Sequence, residues 1–193
     1  KEVTHESIYF KLPVKTKGWK GTYFLVWTTT PWTIPANVAL VVDPKKDYFL
    51  VKHGKEKIIL IKAAAKRLFP SLSKKDYQIF KGKKILGITY STSFDHLQRV
   101  KKALAGYQHK VVASDPLVLP VDETEGTGII HVATGAGAED YQLGLKEKLP
   151  VIEIINEEAN YLDGMMEFSG KNAKKQPELI LNYLERKDKG RFF

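Results

Sequence analysis

Residues Gly21–Asn37 read GTYFLVWTTTPWTIPAN. The first half, Gly21–Thr28, is rich in aromatic and β-branched residues and reads as a strand. The second half cannot continue it, because Pro31 and Pro35 would each remove a ladder donor. Trp27–Asn37 holds four threonines and two tryptophans around those prolines. Such a segment makes a rigid wall of short hydroxyls beside large apolar surfaces, which suits a small pocket.

Working outward, Ser7–Val14 (SIYFKLPV) is a second strand, joined to the first through Lys17-Gly18. Val38–Val42 and Asp47–Lys52 come next as strands with Asp43-Pro44 turning between them, then Glu56–Ile61. A short helix is expected over Lys62–Phe69, ending before Pro70, and a strand over Tyr77–Phe80. Ser93 caps an amphipathic helix whose face carries Phe94, Leu97, Val100 and Leu104 and which Gly106 stops. Gly126–Thr134 reads as a strand, Ala138–Lys148 as a helix and Val151–Ile155 as a strand. Pro177–Lys187 has Leu179, Ile180, Tyr183 and Leu184 on one face and charge opposite. Many short strands with a few helices between them predict an α+β class: a β-rich, barrel-like core, closed or half-closed, with a few peripheral helices.

The 193 residues are enough for one domain with a sizeable core. No repeat or low-complexity tract is visible. The absence of cysteine excludes disulfides and thiolate metal sites and fits an intracellular compartment. No apolar run approaches the ~20 residues of a membrane span, and no signal-peptide layout opens the chain. The start at Lys1 without Met, and the RFF end after a helix-stopping Gly190, read as the edges of a fragment from something longer. A net charge of +9 favours polyanionic partners through counterion release, although lysine-rich surfaces also serve solubility.

A second segment, Gly126–Tyr141, reads GTGIIHVATGAGAEDY. Gly126 and Gly128 allow close backbone approach. Alternation puts His131 on one strand face with Ile129 and Ala133, either as a satisfied half-buried residue or as a working one. Gly135 and Gly137 form a corner into a helix whose first turn holds Glu139 and Asp140. The helix dipole favours a carboxylate there. Asp140 is therefore expected to stay ionised, either to hold an ammonium group or only to stabilise the helix. G-x-S-x-G, H-E-x-x-H and P-loop templates are missing. His5, His53, His96 and His109 fall in different elements, so no metal site is expected. If the two segments meet, they form a small pocket able to seat an α-amino acid group.

Together the two segments resemble the editing (connective polypeptide) domain inserted in class I isoleucyl-tRNA synthetases. WTTTPWTIPAN resembles its threonine-rich peptide and GTGIIHVATGAGAEDY its second hallmark. SIYFKLPV resembles its opening strand and Pro177–Lys187 its exit helix, so the resemblance spans essentially the whole chain. Valyl and leucyl relatives carry an Arg after two threonines and an acidic residue after the proline, where this chain has Thr30 and Trp32. One departure is Thr134-Gly135-Ala136-Gly137, where many bacterial relatives have Pro-Gly-His-Gly; no role of that His or Pro carries over.

The resemblance implies a single editing domain over 1–193, excised from a larger synthetase. It implies hydrolysis of misplaced valine from valyl-tRNA-Ile and from valyl-adenylate. Asp140 then grips the substrate α-ammonium. Thr28, Thr29 and Thr30 position the ester or phosphoester and water. Trp32, Thr33, His131 and Gly137 complete the substrate site, with His131 obstructing the extra methylene of isoleucine. The implied partners are the tRNA-Ile acceptor end and valyl-adenylate, met by a cytoplasmic monomer with no membrane contact. No cofactor is implied for this domain, since ATP, Mg²⁺ and zinc belong to the rest of the parent. Lys171, Lys174 and Lys175 are candidate tRNA contacts. The alternatives are a non-catalytic acceptor-end binding module and an editing domain tuned to threonine.

Overall fold

The computed structural model describes residues 7–187. Lys1, His5, Gly190 and the RFF end lie outside them. Strand β1 (Ile8–Pro13) pairs antiparallel with β2 (Thr22–Thr28), Ile8 opposite Thr28 and Pro13 opposite Tyr23. Strands β3 (Ala39–Val42), β4 (Asp47–His53), β5 (Glu56–Ile61) and β6 (Tyr77–Lys81) come next along the chain. β2 runs parallel to β5, and β4 lies antiparallel between β5 and β6, giving a five-stranded sheet in the order β1-β2-β5-β4-β6. Strands covered on both faces read as unbroken apolar runs. Phe24–Val26 and Ile58–Ile61 are accordingly fully buried.

A second sheet centres on β3. It pairs parallel with β7 (Lys110–Ala113) and antiparallel with β8 (Ile130–Val132). Two single bridges, Val14 to Tyr90 and Thr89 to Lys110, stitch the sheets together along one side. Among the described residues no ladder joins the remaining edges, so the expected α+β architecture holds while the barrel does not close. Helices α1 (Lys62–Leu68), α2 (Gln98–Leu104), α3 (Ala138–Glu147) and α4 (Glu178–Lys187) lie at the periphery. No helix among the described residues is long and apolar enough to cross a membrane.

Three expectations are corrected. Ser93 does not cap α2, which starts only at Gln98. Asp95 accepts hydrogen bonds from the Thr92 amide and hydroxyl and closes a separate turn, a local competitor to helix. Phe94, Leu97, Val100 and Leu104 are nevertheless all buried. Val151–Ile155 is not a strand: Ile155 makes one bridge, to Tyr161. Its Ile152 and Ile154 are buried, and the Ile152 backbone lies against the Gly135 turn, where a Cβ on Gly135 would stand 2.2 Å from the Ile152 carbonyl oxygen. Gly126–Thr134 is a strand only over Ile130–Val132, because Gly126 (φ +60°) and Gly128 (φ +69°) bend the chain before it. β7 escaped the sequence reading, although Val111 and Val112 between Gly106 and Pro116 have the β-branched composition that marks a strand.

Candidate functional site

β2 ends at Thr28, and the prolines dictate the shape of the next element. Pro31–Ala36 forms a 3-10 helix with Pro31 in its first turn, where a missing N–H costs nothing. Thr33 N–H donates to the Thr30 carbonyl (3.0 Å) and Asn37 N–H to that of Ile34 (3.1 Å). Thr28 Oγ1 accepts from the Thr30 amide (3.1 Å) and lies 3.2 Å from Thr30 Oγ1. Thr30 Oγ1 is 3.3 Å from Thr33 Oγ1, which donates to the Thr30 carbonyl at 2.8 Å. Thr29 is exposed at the rim and Trp32 half-buried.

This turn is one wall of a cavity of about 600 Å³. The second segment forms the opposite wall. Every residue assigned to the substrate site from the sequence lines this cavity: Thr28, Thr29, Thr30, Trp32 and Thr33 on one side, His131, Gly137 and Asp140 on the other. A third wall, Glu125–Ile129, was not foreseen as a unit. Its Gly128 lies against Ile61, whose Cβ would be 2.4 Å from an added Cβ. Tyr48 Oη donates to the Gly128 carbonyl (2.7 Å), Ile61 N–H to that of Thr127 (2.8 Å), and the Arg67 guanidinium to those of Gly126 and Thr124. Lys174 reaches the cavity margin.

His131 is buried, pairs with Leu40 across the second sheet and meets Phe10 edge-on at 6.2 Å. Burial pushes its imidazole down to about 4, against a hydrogen bond at Thr33 that works the other way. The ring is therefore neutral near pH 7. Its Nε2 lies 3.1 Å from Thr33 Oγ1 and its Nδ1 2.7 Å from Asn37 Nδ2. Asn37 Nδ2 also donates to the Ala39 carbonyl (3.2 Å), while Tyr90 Oη donates to Asn37 Oδ1 (2.6 Å).

Asp140 stands in the first turn of α3 and reaches back so that its Oδ2 accepts from Ala133 N–H at 2.7 Å. The helix dipole is not the dominant influence on this carboxyl. Burial raises the carboxyl above its ordinary value, and the Ala133 amide and then Glu139 act as smaller, opposed influences. An arriving cation reverses this, because an opposite charge nearby favours the ionised form. Gly137 precedes the helix in extended backbone, with room for a Cβ at ordinary contact distance from Asp140. Among the described residues no group of three His, Asp or Glu side chains is arranged to hold a metal ion.

No family model matches the chain. It is 36% identical over 188 residues to the isoleucine–tRNA ligase of Clostridium acetobutylicum, covering 96% of this chain and 17% of the relative. It is 35% identical over 190 residues to that of Pyrococcus horikoshii, covering 94% and 17%. In fold it is similar to the crystal structure of GlLeuRS-CP1, with a TM-score of 0.71 and 16% identity over 97% of this chain and 96% of that one. It is also similar to the editing domain of the Plasmodium falciparum cytosolic leucyl-tRNA synthetase, with a TM-score of 0.69 and 11% identity over 98% and 99%. By sequence the chain belongs with the isoleucine–tRNA ligases, and its fold is that of a synthetase editing domain. It spans about one sixth of the length of the curated relatives it matches, 17% in both cases above.

Within the editing domain the structure brings both hallmark segments to one cavity, as their pairing in sequence anticipated. Three contributors were missed. Asn37 sat inside the quoted segment without an assigned task, and Tyr90 reaches it from a position 53 residues away that no local pattern connects. Arg67 is an ordinary helix cation in sequence, and only the fold puts it against the third wall.

Proposed function

We propose that the chain is one domain of a longer synthetase and that it removes valine from valyl-tRNA-Ile and from valyl-adenylate by hydrolysis. Kinship with isoleucine–tRNA ligases supports aminoacyl-tRNA proofreading in general. The observation that carries the valine reading is the facing of Asp140 and the hydroxyl-lined 3-10 turn across a cavity bounded by Trp32 and His131.

Asp140 receives the α-ammonium of the amino acid, and the opposite charge favours its ionised form. Thr28, Thr29 and Thr30 hold the ester and a water in line, with Thr33 and Gly137 completing the contacts. The water oxygen bonds to the carbonyl carbon, the ester C–O bond breaks, and the departing ribose oxygen takes up a proton. His131 has both ring nitrogens engaged and is a weak base, so it shapes the pocket. Rate comes from positioning and oxyanion stabilisation, with a ribose hydroxyl of the substrate assisting. A second site is needed because one methylene is worth only about 1–3 kcal/mol in a hydrophobic pocket, a limit for which the isoleucyl enzyme is itself the standard example. The domain needs no cofactor in this scheme. ATP, Mg²⁺ and zinc are assigned to other parts of the parent, and the domain acts as a cytoplasmic monomer on the tRNA-Ile acceptor end.

The test is to mix the chain with valyl-tRNA-Ile and isoleucyl-tRNA-Ile and follow amino-acid release. Release of valine with isoleucine spared is expected. Tight binding without release would mark a binding module, and release from threonyl-tRNA alone would mark a threonine-tuned domain.

A further inference from the structure

A size filter works only if its wall is stiff, and the stiffness of His131 originates outside the cavity. The Ala39 carbonyl can only accept a hydrogen bond, so the Asn37 atom 3.2 Å from it is the amide nitrogen. The opposite end of the same amide accepts from Tyr90 Oη at 2.6 Å. The Ala39 contact sets the orientation of the Asn37 amide, the Tyr90 hydroxyl holds its other end, and together they leave the second N–H aimed at His131 Nδ1, 2.7 Å away. Nδ1 is thereby the acceptor, and the ring proton must sit on Nε2. Nε2–H donates to Thr33 Oγ1 (3.1 Å), whose own proton goes to the Thr30 carbonyl (2.8 Å). One directional chain therefore runs from Tyr90 through Asn37, His131 and Thr33 to the backbone of the 3-10 turn.

We infer that Tyr90 is a positioning residue for substrate selection: through Asn37 it fixes the tautomer and tilt of His131 and so the size of side chain the cavity admits. Tyr90 lies in neither hallmark segment and does not line the cavity. It is 3% exposed and wedged between Phe24, met edge-on at 6.0 Å, and His109, stacked at 5.3 Å. Its hydroxyl therefore has little freedom to point elsewhere. With both nitrogens tied, His131 offers the cavity no free donor or acceptor. A phenylalanine would offer similar bulk without the two hydrogen bonds that stop the ring from tilting. Loss of the Tyr90 hydroxyl leaves the Asn37 amide on the Ala39 contact alone, free to turn and so to let the other tautomer form.

The inference rests on the valine-editing reading for its consequence, but the chain of hydrogen bonds can be read without it. In ¹⁵N-labelled protein, long-range ¹H–¹⁵N spectra report the tautomer of each histidine, and His131→Gln identifies the signal of His131. The unaltered chain is expected to show His131 protonated on Nε2 alone; protonation on Nδ1 overturns the inference before any variant is made. Tyr90→Phe removes one oxygen, and a thermal melt checks that it folds. It is expected to give a mixture of tautomers at His131 and to lower the ratio of valine to isoleucine release about tenfold. An unchanged tautomer, or an unchanged ratio beside a changed tautomer, overturns it. If the unaltered chain releases neither amino acid, the proposed function fails, and the spectra alone still decide whether Tyr90 controls His131.

Discussion

His131 illustrates how burial converts a pH-sensitive residue into a passive one. Its imidazole binds a proton near 6.5 when the chain is unfolded and near 4 when folded. Between those values the unfolded state holds more protons, so this residue's stabilisation falls as the pH falls and is gone below about 4. The span corresponds to at most about 3 kcal/mol. Urea unfolding of the unaltered chain and of His131→Gln should therefore show a stability difference that shrinks steadily from pH 7 to pH 4. Asp140 behaves oppositely at the level of function. Burial sets its carboxyl above the ordinary value, and NMR titration should find it lowered once a valine ester analogue is bound. Asp140→Asn keeps the shape and discards the charge. It should cut valine release roughly 10- to 100-fold, the worth of one charge-assisted hydrogen bond, with little change in melting temperature.

Among the elements, the 3-10 helix Pro31–Ala36 shows what sequence can and cannot convey. Two prolines said that the strand must stop at Thr28, because a missing donor is a local fact. They did not say that Thr33 would turn inward to meet His131, because that contact spans 98 residues and depends on β3 lying between β7 and β8. The same division explains the other errors. The burial of Phe94, Leu97, Val100 and Leu104 followed from their spacing, whereas the Thr92–Asp95 turn that delays α2 is a side-chain competition invisible to periodicity. Val151–Ile155 has a strand's composition, but the close approach of Gly135 to Ile152 leaves it serving as a floor for that turn. Gly135→Ala tests this reading. With a Cβ 2.2 Å from a carbonyl oxygen, it should destabilise the chain by about 1–3 kcal/mol in chemical denaturation. Gly137→Ala, with its nearest neighbour at 3.5 Å, should cost far less.

Over the whole molecule, the charge of +9 is a statement about partners. If the acceptor end of tRNA docks at the cavity margin, affinity should fall linearly in log–log form with salt, by about 0.7 per single-stranded phosphate neutralised. Lys174→Ala, at that margin, should lower the slope by about one such step, whereas a salt-independent affinity would exclude the polyanionic partner. The run of short strands foreshadowed a β-rich core, but not its division into two sheets or where they join. That join consists of the bridges at Val14–Tyr90 and Thr89–Lys110, and its backbone bonds include Tyr90 N–H to His109, Ser91 N–H to Pro13 and Lys15 N–H to Thr89. Tyr90 thus belongs to the stitching between sheets as well as to the support of the cavity wall. Local opening of the seam withdraws its hydroxyl from Asn37, and filling of the cavity must in turn make that opening rarer. The amides of Lys15, Tyr90 and Ser91 should consequently exchange with deuterium more slowly when the cavity is occupied, a record of occupancy kept at positions the occupant never touches.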